Sequence, residues 1–152
     1  MGVILFVCTG NLCRSPMATG LLRRRLAEKG LKDRYQVRCA GVWAMDGNPA
    51  SEKAIAVMAE RGIDITDHVA HTITAEDVAE ADLILVMGRE HEQMIGNTWP
   101  QYAWKVYRLS EMAGKRKDIV DPYEGSIEEY RACANTIADY IDRGLERILE
   151  LG

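Results

Sequence analysis

The chain has 152 residues and a mass of 17.0 kDa, the size of one ordinary domain. Hydrophobic residues make up 47% of it and charged residues 28%, which is typical of a globular protein and excludes a disordered or low-complexity chain. The 19 Lys and Arg residues against 23 Asp and Glu give a net charge of -4, which argues against nucleic-acid binding through an overall basic surface. We therefore expect one globular domain, residues 1–152, that does not bind nucleic acid.

The chain also lacks the sequence marks of export or membrane insertion. No apolar run approaches the roughly 20 residues that a membrane span needs. The apolar start at 3–7 is too short for the core of a signal peptide and has no basic leader. Four cysteines in such a chain favour free thiols over a disulfide framework. These features predict a cytoplasmic protein without membrane partners.

Short apolar runs alternate with longer amphipathic ones along the chain. The short runs predict strands at 3–7, 35–40, 82–87 and 105–109. The amphipathic runs predict helices at 16–29, 50–61, 75–79, 89–96 and 127–151. Ser126 with Glu129, and Thr74 with Asp77, have the spacing of capping boxes at the starts of two of these helices. This alternation predicts an α/β domain with a parallel sheet, helices on both faces, and ligands at the carboxyl ends of the strands.

The segment between the first strand and the first helix reads Cys8-Thr9-Gly10-Asn11-Leu12-Cys13-Arg14-Ser15-Pro16. Gly10 and Asn11 can adopt left-handed backbone angles, so the loop can curl and turn its N–H groups inward. Such a nest before a helix N-terminus is an anion site, and the planar fork of Arg14 can hold two phosphate oxygens. The N–H groups and Arg14 create a positive electrostatic field, which we expect to favour the thiolate form of Cys8 and so make it a nucleophile. The Ser15 hydroxyl could donate a hydrogen bond to that thiolate.

At these residues the chain resembles the low-molecular-weight protein-tyrosine phosphatases. Their N-terminal Cys-x5-Arg-Ser-Pro loop is matched from Cys8 to Pro16, and their second signature, Asp-Pro, is matched at Asp121-Pro122. The resemblance covers essentially the whole chain. It implies a single three-layer domain with a four-stranded parallel sheet, a phosphate-binding loop at 9–15, a phosphocysteine intermediate at Cys8, and no metal or other cofactor.

A phosphatase that releases a phenoxide, whose conjugate acid has a pKa near 10, gains from a carboxylic acid beside the leaving oxygen. Among the 23 acidic residues Asp121 stands out, because Pro122 stiffens the backbone after it. The resemblance implies that Asp121 is this general acid and then the base that activates water. The bound partner would be a phosphorylated protein, and phosphate or sulfate would occupy the loop.

The resemblance also assigns supporting residues. Trp43 and Tyr123 would form the aromatic walls of a substrate pocket over Leu12, although Trp43 could equally pack in the core. Asn11, Ser15 and His68 would support the loop, and His68 with His71 lacks the further ligands that a metal site would need. Cys13 would be the loop's second cysteine, able to form a reversible disulfide with the nucleophile. Two positions depart from the family pattern: Cys39 replaces a common Ser, and Gly88 replaces a common Asp.

Four functions remain open on this scaffold: hydrolysis of phosphotyrosine, hydrolysis of phosphoarginine, reduction of arsenate, and phosphate binding without catalysis. The downstream chain, including 40–42 and 125–127, also resembles the bacterial protein-arginine phosphatases, but those carry a small hydroxyl residue where this chain has Leu12. The bulk of Leu12, together with Tyr123, favours phosphotyrosine over phosphoarginine. An arsenate reductase would need two cysteines after the third strand, and 88–94 contains none. A phosphate-binding module without activity would need neither Cys8 nor Asp121.

Overall fold

The structure, a computed structural model, describes residues 1–152. Its strands are β1 (Gly2–Cys8), β2 (Tyr35–Gly41), β3 (Leu83–Val86) and β4 (Val106–Arg108). They form one sheet in the order β2-β1-β3-β4, and all neighbouring pairs are parallel. The four-stranded parallel sheet expected from the sequence is therefore confirmed. Because β1 has a neighbour on each side, its carboxyl end at Cys8 lies in the middle of one edge of the sheet.

Six α-helices and one 3-10 helix connect and cover the strands. The α-helices are α1 (Arg14–Glu28), α2 (Glu52–Glu60), α3 (Ala75–Glu80), α4 (Arg89–Thr98), α5 (Leu109–Met112) and α6 (Ile127–Leu151). The 3-10 helix spans Pro100–Lys105. No helix combines the length and apolar character needed to cross a membrane. All five predicted helices are present, whereas α5 and the 3-10 helix are not foreseen by the periodicity, because each is too short to repeat an apolar stripe.

The sheet separates two layers of helices, as the sequence predicts. Alternate side chains of β1 point to opposite faces of the sheet. Ile4 and Phe6 join the larger core, which includes buried residues of α1, α2 and α6. Leu5 and Val7 join a smaller core with buried residues of α3 and α4. Every one of these β1 side chains is essentially inaccessible to solvent, so the strand that carries Cys8 is held from both sides.

Element boundaries differ from the sequence prediction by at most two residues at any end. The predicted strand at 105–109 shortens to Val106–Arg108, because Lys105 ends the 3-10 helix and Leu109 begins α5. Helix α4 runs to Thr98, two residues past its predicted end. The bounds of α6 agree with the prediction at both ends. Its capping box is formed, with the Ser126 side chain accepting from the backbone N–H of Glu129.

Candidate active site

The segment from Cys8 to Arg14 closes a tight loop between β1 and α1. Asn11 has a φ of 59°, in the left-handed region, and it is fully buried. Short polar side chains tolerate this region because they can form local hydrogen bonds. Asn11 donates from Nδ2 to Ser15 Oγ at 2.8 Å and accepts from the backbone N–H of His71 at 3.1 Å. The sharp reversal of the loop is thus held by side-chain bonds on two sides.

Five consecutive carbonyls of this loop, from Cys8 to Leu12, accept hydrogen bonds from outside it. Four donors are backbone N–H groups of the segment after β2, and the fifth is a histidine ring. The donors are the N–H groups of Val42, Trp43, Met45 and Ser51 and Nε2 of His68. In a trans peptide the carbonyl of one residue and the N–H group of the following residue point in opposite directions. The N–H groups of residues 9–13 therefore face the opposite side of the loop and are free of these bonds, an arrangement that is suited to holding an anion.

Gly41 allows this close approach of the two segments. A Cβ built on Gly41 would lie 2.5 Å from the carbonyl oxygen of Thr9, far inside contact distance. Val42 and Trp43, the next two residues, donate to the carbonyls of Cys8 and Thr9 at 2.9 Å each. A side chain at position 41 would push these donors away from the loop. The end of β2 is therefore part of the template that shapes the nest.

The thiol of Cys8 lies at the base of the loop and is buried. Its Sγ is 2.9 Å from Ser15 Oγ. Because Asn11 already donates to that hydroxyl oxygen, the hydroxyl proton of Ser15 is free to donate to the sulfur. Burial raises the pKa of Cys8, while the Ser15 hydroxyl, the charge of Arg14 and backbone N–H groups lower it. The contacts expected to favour the thiolate are therefore present, and desolvation by burial outweighs them.

The guanidinium of Arg14 is fixed by three neighbours. Nη1 donates to the carbonyl oxygen of Ile119 at 2.8 Å, and Nη2 donates to Thr9 Oγ1 at 3.3 Å. Nη2 also lies 3.5 Å from Oδ2 of Asp121. Only 5% of Arg14 is exposed to solvent. A buried cation that keeps its orientation is a suitable clamp for a doubly charged oxyanion.

Asp121 lies on the loop between α5 and α6, across the cavity from β1. Its Oδ1 accepts the backbone N–H of Tyr123 at 3.0 Å, and its Oδ2 faces Arg14. The side chain is 44% exposed, so this carboxyl group is in contact with solvent, unlike Cys8 and Arg14. The hydrogen bond at Oδ1 orients the carboxyl group so that Oδ2 faces Arg14 at the wall of the cavity.

One cavity of about 180 Å³ brings most of the predicted site residues together. It is lined by Cys8, Arg14, Asp121, Leu12, Trp43 and Tyr123. Trp43 is 81% exposed, so it stands at the rim and is not part of the core. Thr9, Gly10 and Cys13 also border the cavity. Asn11 and Ser15, which belong to the loop and its junction with α1, and His68 do not line this cavity, and they hold the loop through hydrogen bonds.

The comparisons with known proteins agree with this geometry. The family model described as low molecular weight phosphotyrosine protein phosphatase matches residues 3–150. A probable low molecular weight protein-tyrosine-phosphatase of Ralstonia nicotianae is 41% identical over 149 residues, covering 98% of this chain and 97% of the relative. The chain belongs to this family. It is a phosphatase with the fold that the sequence predicted.

Two arginine-type relatives are comparably similar to this phosphatase. A protein-arginine-phosphatase of Bacillus subtilis is 37% identical over 139 residues, covering 91% of each chain. A solved arginine phosphatase, a mutant with a phosphorylated active-site serine, superimposes with a TM-score of 0.90 at 36% identity. That alignment covers 97% of this chain and 95% of the other. Both substrate types therefore occur among proteins of this fold and this degree of similarity.

Cys39 and Gly88, the two positions that the sequence predicts to depart from the family pattern, have neighbours that the structure defines. His68 donates from Nε2 to the carbonyl of Asn11 at 2.7 Å, and its Nδ1 lies 3.8 Å from Sγ of Cys39. Cys39, in place of the common Ser, thus still contacts the histidine that supports the loop. Burial lowers the pKa of His68. At Gly88 an added Cβ would be 3.3 Å from Cγ of Asp118, so the side chain of Asp118 occupies the space that a residue at 88 would use.

The second loop cysteine of the phosphatase is held by polar neighbours. Cys13 Sγ lies 3.3 Å from the hydroxyl of Tyr130 and 3.5 Å from Oγ of Ser51. Burial raises the pKa of Cys13, and it raises the pKa of Tyr130 to about 12. Cys8 and Cys13 are both free thiols. Their expected pairing under oxidation stays a prediction.

Sequence reasoning missed several residues that shape this site. They come from four separate parts of the chain: Met45, Ser51, His91, Ile119 and Tyr130. Met45 lies two residues after Trp43 and lines the same cavity, so its position beside a predicted pocket wall was an available signal. The contact of Ile119 with Arg14 uses a backbone carbonyl, which no residue type reveals. For His91 the sequence offered only a histidine in the first turn of a helix.

Proposed function

We propose that this protein hydrolyses phosphotyrosine in protein substrates through a phosphocysteine at Cys8, with residues 1–152 acting as one catalytic domain. The observation that carries the proposal is the convergence of Cys8, Arg14 and Asp121 on one cavity beneath an exposed aromatic rim. A nucleophile, an oxyanion clamp and a carboxyl group are the three elements that phosphoryl transfer from an aryl ester needs.

In the first step the sulfur of Cys8, after losing its proton, attacks phosphorus in line with the leaving oxygen. The Ser15 hydroxyl and the loop N–H groups stabilise the thiolate against the cost of burial. The N–H groups of residues 9–13 and the guanidinium of Arg14 hold the three equatorial oxygens, where charge is concentrated in the transition state. Asp121 protonates the phenoxide as the ester P–O bond breaks.

In the second step water attacks the phosphocysteine. Asp121, now a carboxylate, takes a proton from this water, and the S–P bond breaks to release phosphate. Ser15 donates to the departing sulfur and stabilises its negative charge. The phosphorylated active-site serine of the similar arginine phosphatase supports a covalent intermediate at this point of the loop. We further propose that free phosphate or sulfate binds the same nest.

The cavity walls favour an aromatic substrate. Leu12, a residue of the loop itself, lines the cavity with an apolar side chain, and Trp43 and Tyr123 stand at the rim with 81% and 47% of their surfaces exposed. A phenyl ring between two aromatic side chains buries apolar surface and stacks favourably. A phosphoguanidinium would lose hydrogen-bonding partners against Leu12. Phosphoarginine remains the second candidate, because the similar Bacillus subtilis protein carries that name.

The deciding experiment measures phosphate release from matched phosphotyrosine and phosphoarginine peptides, with Cys8→Ser as the blank. We expect a clear preference for phosphotyrosine, measured as kcat/KM, and no turnover above about 1% of wild type in Cys8→Ser or Arg14→Ala. Leu12→Thr is the matched variant, and it should shift the preference toward phosphoarginine. A wild-type preference for phosphoarginine would overturn the substrate assignment. Turnover by Cys8→Ser would overturn the mechanism.

We propose a cytoplasmic location for the enzyme. All four cysteines are buried free thiols, and a thiol nucleophile keeps its activity in a reducing compartment. Fractionation of the source cells, followed by detection of the native chain, tests this assignment. Recovery with the secreted or membrane fraction would contradict it.

A further inference from the structure

His91 is a fully buried histidine beside the active site that the mechanism above does not use. It lies in the first turn of α4, and both of its ring nitrogens have partners. The backbone N–H of Gly88 donates to Nδ1 at 3.0 Å. Nε2 lies 2.9 Å from Oγ1 of Thr9, in the phosphate-binding loop. One ring thus connects the start of α4 with the loop.

The first of these bonds fixes the tautomer of the ring. An N–H donor facing Nδ1 requires a lone pair there, so the proton of the neutral ring is on Nε2. Nε2–H therefore donates to Thr9 Oγ1. Burial, assisted by the charge of Arg14, lowers the pKa of His91 to about 4, while Asp118 and Asp121 act in the opposite direction. Glu90, whose Oε1 is 3.7 Å from Nε2, is the remaining charged neighbour.

The hydroxyl of Thr9 then connects His91 to the oxyanion clamp. Thr9 Oγ1 accepts from Nη2 of Arg14 at 3.3 Å as well as from His91. These two donors use both lone pairs of the oxygen. The opposite end of the guanidinium is held by the carbonyl of Ile119. With the hydroxyl oxygen fixed by His91, the plane of the guanidinium is defined from two sides.

We propose that His91 is a positioning residue, which acts through Thr9 to orient the guanidinium of Arg14 for the transferred phosphoryl group. The proposal rests on the proposed function, in which Arg14 holds the phosphoryl oxygens. A neutral Nε2–H donor suits this task, because it orders the hydroxyl without placing a second cation that would compete with Arg14. The hydrogen bond between Nδ1 and the Gly88 N–H stabilises the start of α4, and the hydrogen bond between Nε2 and Thr9 orients the active site.

Two substitutions separate these roles. His91→Asn keeps a polar atom near the position of Nδ1, where it can accept from Gly88, and removes the donor to Thr9. His91→Gln extends an amide N–H toward the position of Nε2 and can restore that donor. Thr9→Val removes the hydroxyl that relays the contact and keeps the shape of the side chain. Each variant is assayed for kcat, KM, inhibition by orthovanadate and thermal stability.

We expect His91→Asn to lower kcat about tenfold with a smaller change in KM, since misaligned donors act mostly in the transition state. Orthovanadate adopts the geometry of that transition state, so its inhibition constant should rise by a similar factor. His91→Gln should recover most of the loss. The double variant His91→Asn/Thr9→Val should be no slower than Thr9→Val alone, because both changes break the same connection.

Several results would overturn the proposal. Equal kcat values and vanadate affinities for His91→Asn and wild type would show that Arg14 needs no such support. Additive losses in the double variant would place His91 on a separate route. If His91→Asn does not fold, Thr9→Val and His91→Gln still test the proposal. Normal vanadate inhibition in Thr9→Val would exclude a connection from His91 to Arg14 through the Thr9 hydroxyl. Activity of Arg14→Ala, in contrast, would contradict the proposed function itself.

Discussion

The two loops that meet at the active-site cavity are built in opposite ways. In the loop between β1 and α1, which we propose binds phosphate, Asn11 and Ser15 are fully buried, and five successive backbone carbonyls are bonded to the surrounding protein. In the loop between α5 and α6, Val120 is 83% exposed and Asp121 and Tyr123 are about half-exposed. Burial and bonding therefore define the first loop, whereas a few contacts to its neighbours hold the second.

This difference matches the chemistry proposed for each loop. Charge on the phosphoryl oxygens is stabilised best by donors that do not need to reorganise during the reaction, which requires a rigid loop. The proposed acid has to reach the leaving oxygens of different substrates and then a water molecule, so a partly exposed carboxyl group suits it. We expect substitutions in the loop between β1 and α1 to reduce both stability and activity, and those of the exposed residues Val120, Asp121 and Tyr123 to affect activity alone.

The largest effect is expected for Asn11. Asn11→Ala removes one buried and one partly buried hydrogen bond and places a Cβ-bearing residue without a local bonding partner at positive φ. We expect the free energy of unfolding to fall by about 4 kcal/mol. The rate should fall by at least 100-fold, since the carbonyl pattern of the loop is lost with its sharp reversal. Chemical denaturation and kcat/KM measure the two losses.

Asn11→Gly is the matched control, because it loses the same side-chain bonds and tolerates positive φ. It should be more stable than Asn11→Ala by about 1 kcal/mol and equally inactive. Activity within threefold of wild type in either variant would contradict a loop shape that depends on this side chain. Equal stability of the two would show that the backbone angle relaxes.

The second prediction concerns pH and the junction between the loops. His91 has a folded-state pKa of about 4, below its ordinary value of 6.5. Between these values the unfolded chain binds a proton that the folded protein does not, so stability falls as the pH falls. Relative to His91→Gln, the wild-type protein should lose about 3 kcal/mol of unfolding free energy between pH 6.5 and pH 4.

Urea denaturation of both proteins at these two pH values measures the difference, and the carboxylates that titrate in this range cancel in the comparison. An identical pH dependence of the two proteins would mean that the ring of His91 takes up its proton at the ordinary pKa in the folded state as well. The neutral tautomer on which the contact with Thr9 depends would then be excluded at the lower pH.

The contrast between these two side chains also shows what the sequence could reveal. Asn11 was predictable because it forms a short motif with its neighbours Cys8, Gly10 and Arg14, and a motif of residues close in sequence can be recognised without knowledge of the fold. The ends of α6 were predictable for the same reason, from an apolar stripe and the pair Ser126 and Glu129. His91 was not predictable, since its partner Thr9 is 82 residues away and only folding brings them together.

Burial was the other quantity that the sequence did not provide. The positive field around Cys8 could be read from Arg14 and the loop, but the desolvation that outweighs it depends on the packing of β1. The five outward carbonyls depend likewise on Gly41 and the segment after it, which approach the loop only in the folded sheet. The residues that line the candidate site could thus be predicted from the sequence, whereas the burial and charges around them could not.

The third prediction tests the exposed loop through Asp121. Asp121→Asn keeps the size of the side chain and removes the transferable proton. With an alkylphenyl phosphate, a poor leaving group, we expect kcat/KM to fall about 100-fold, whereas a nitrophenyl phosphate should lose much less. Stability should be unchanged within about 0.5 kcal/mol, because the carboxyl group is partly exposed. Equal rate losses across a series of leaving groups would contradict the role of acid.

The smallest effect is expected for Asp118, which anchors the loop between α5 and α6 to α4. Its Oδ1 accepts the backbone N–H of Arg89 at 3.0 Å and lies 3.4 Å from Nη1 of Arg108. Because Gly88 has no side chain, Asp118 supplies the carboxylate at this helix start from another part of the chain. Asp118→Ala should lower the unfolding free energy by about 1 kcal/mol, the usual cost of a lost cap.

Asp118→Asn keeps the acceptor oxygen and should recover most of that stability, so this pair isolates the hydrogen bond from the charge. If the anchor also limits the movement of Asp121, Asp118→Ala will slow poor leaving groups two- to threefold and leave good ones unchanged. A rate loss that is the same for all leaving groups would instead place the effect on Arg14, whose partner Ile119 is the next residue along the chain. The leaving-group series therefore shows whether the carboxylate of Asp118 affects the reaction through Asp121 or through Arg14.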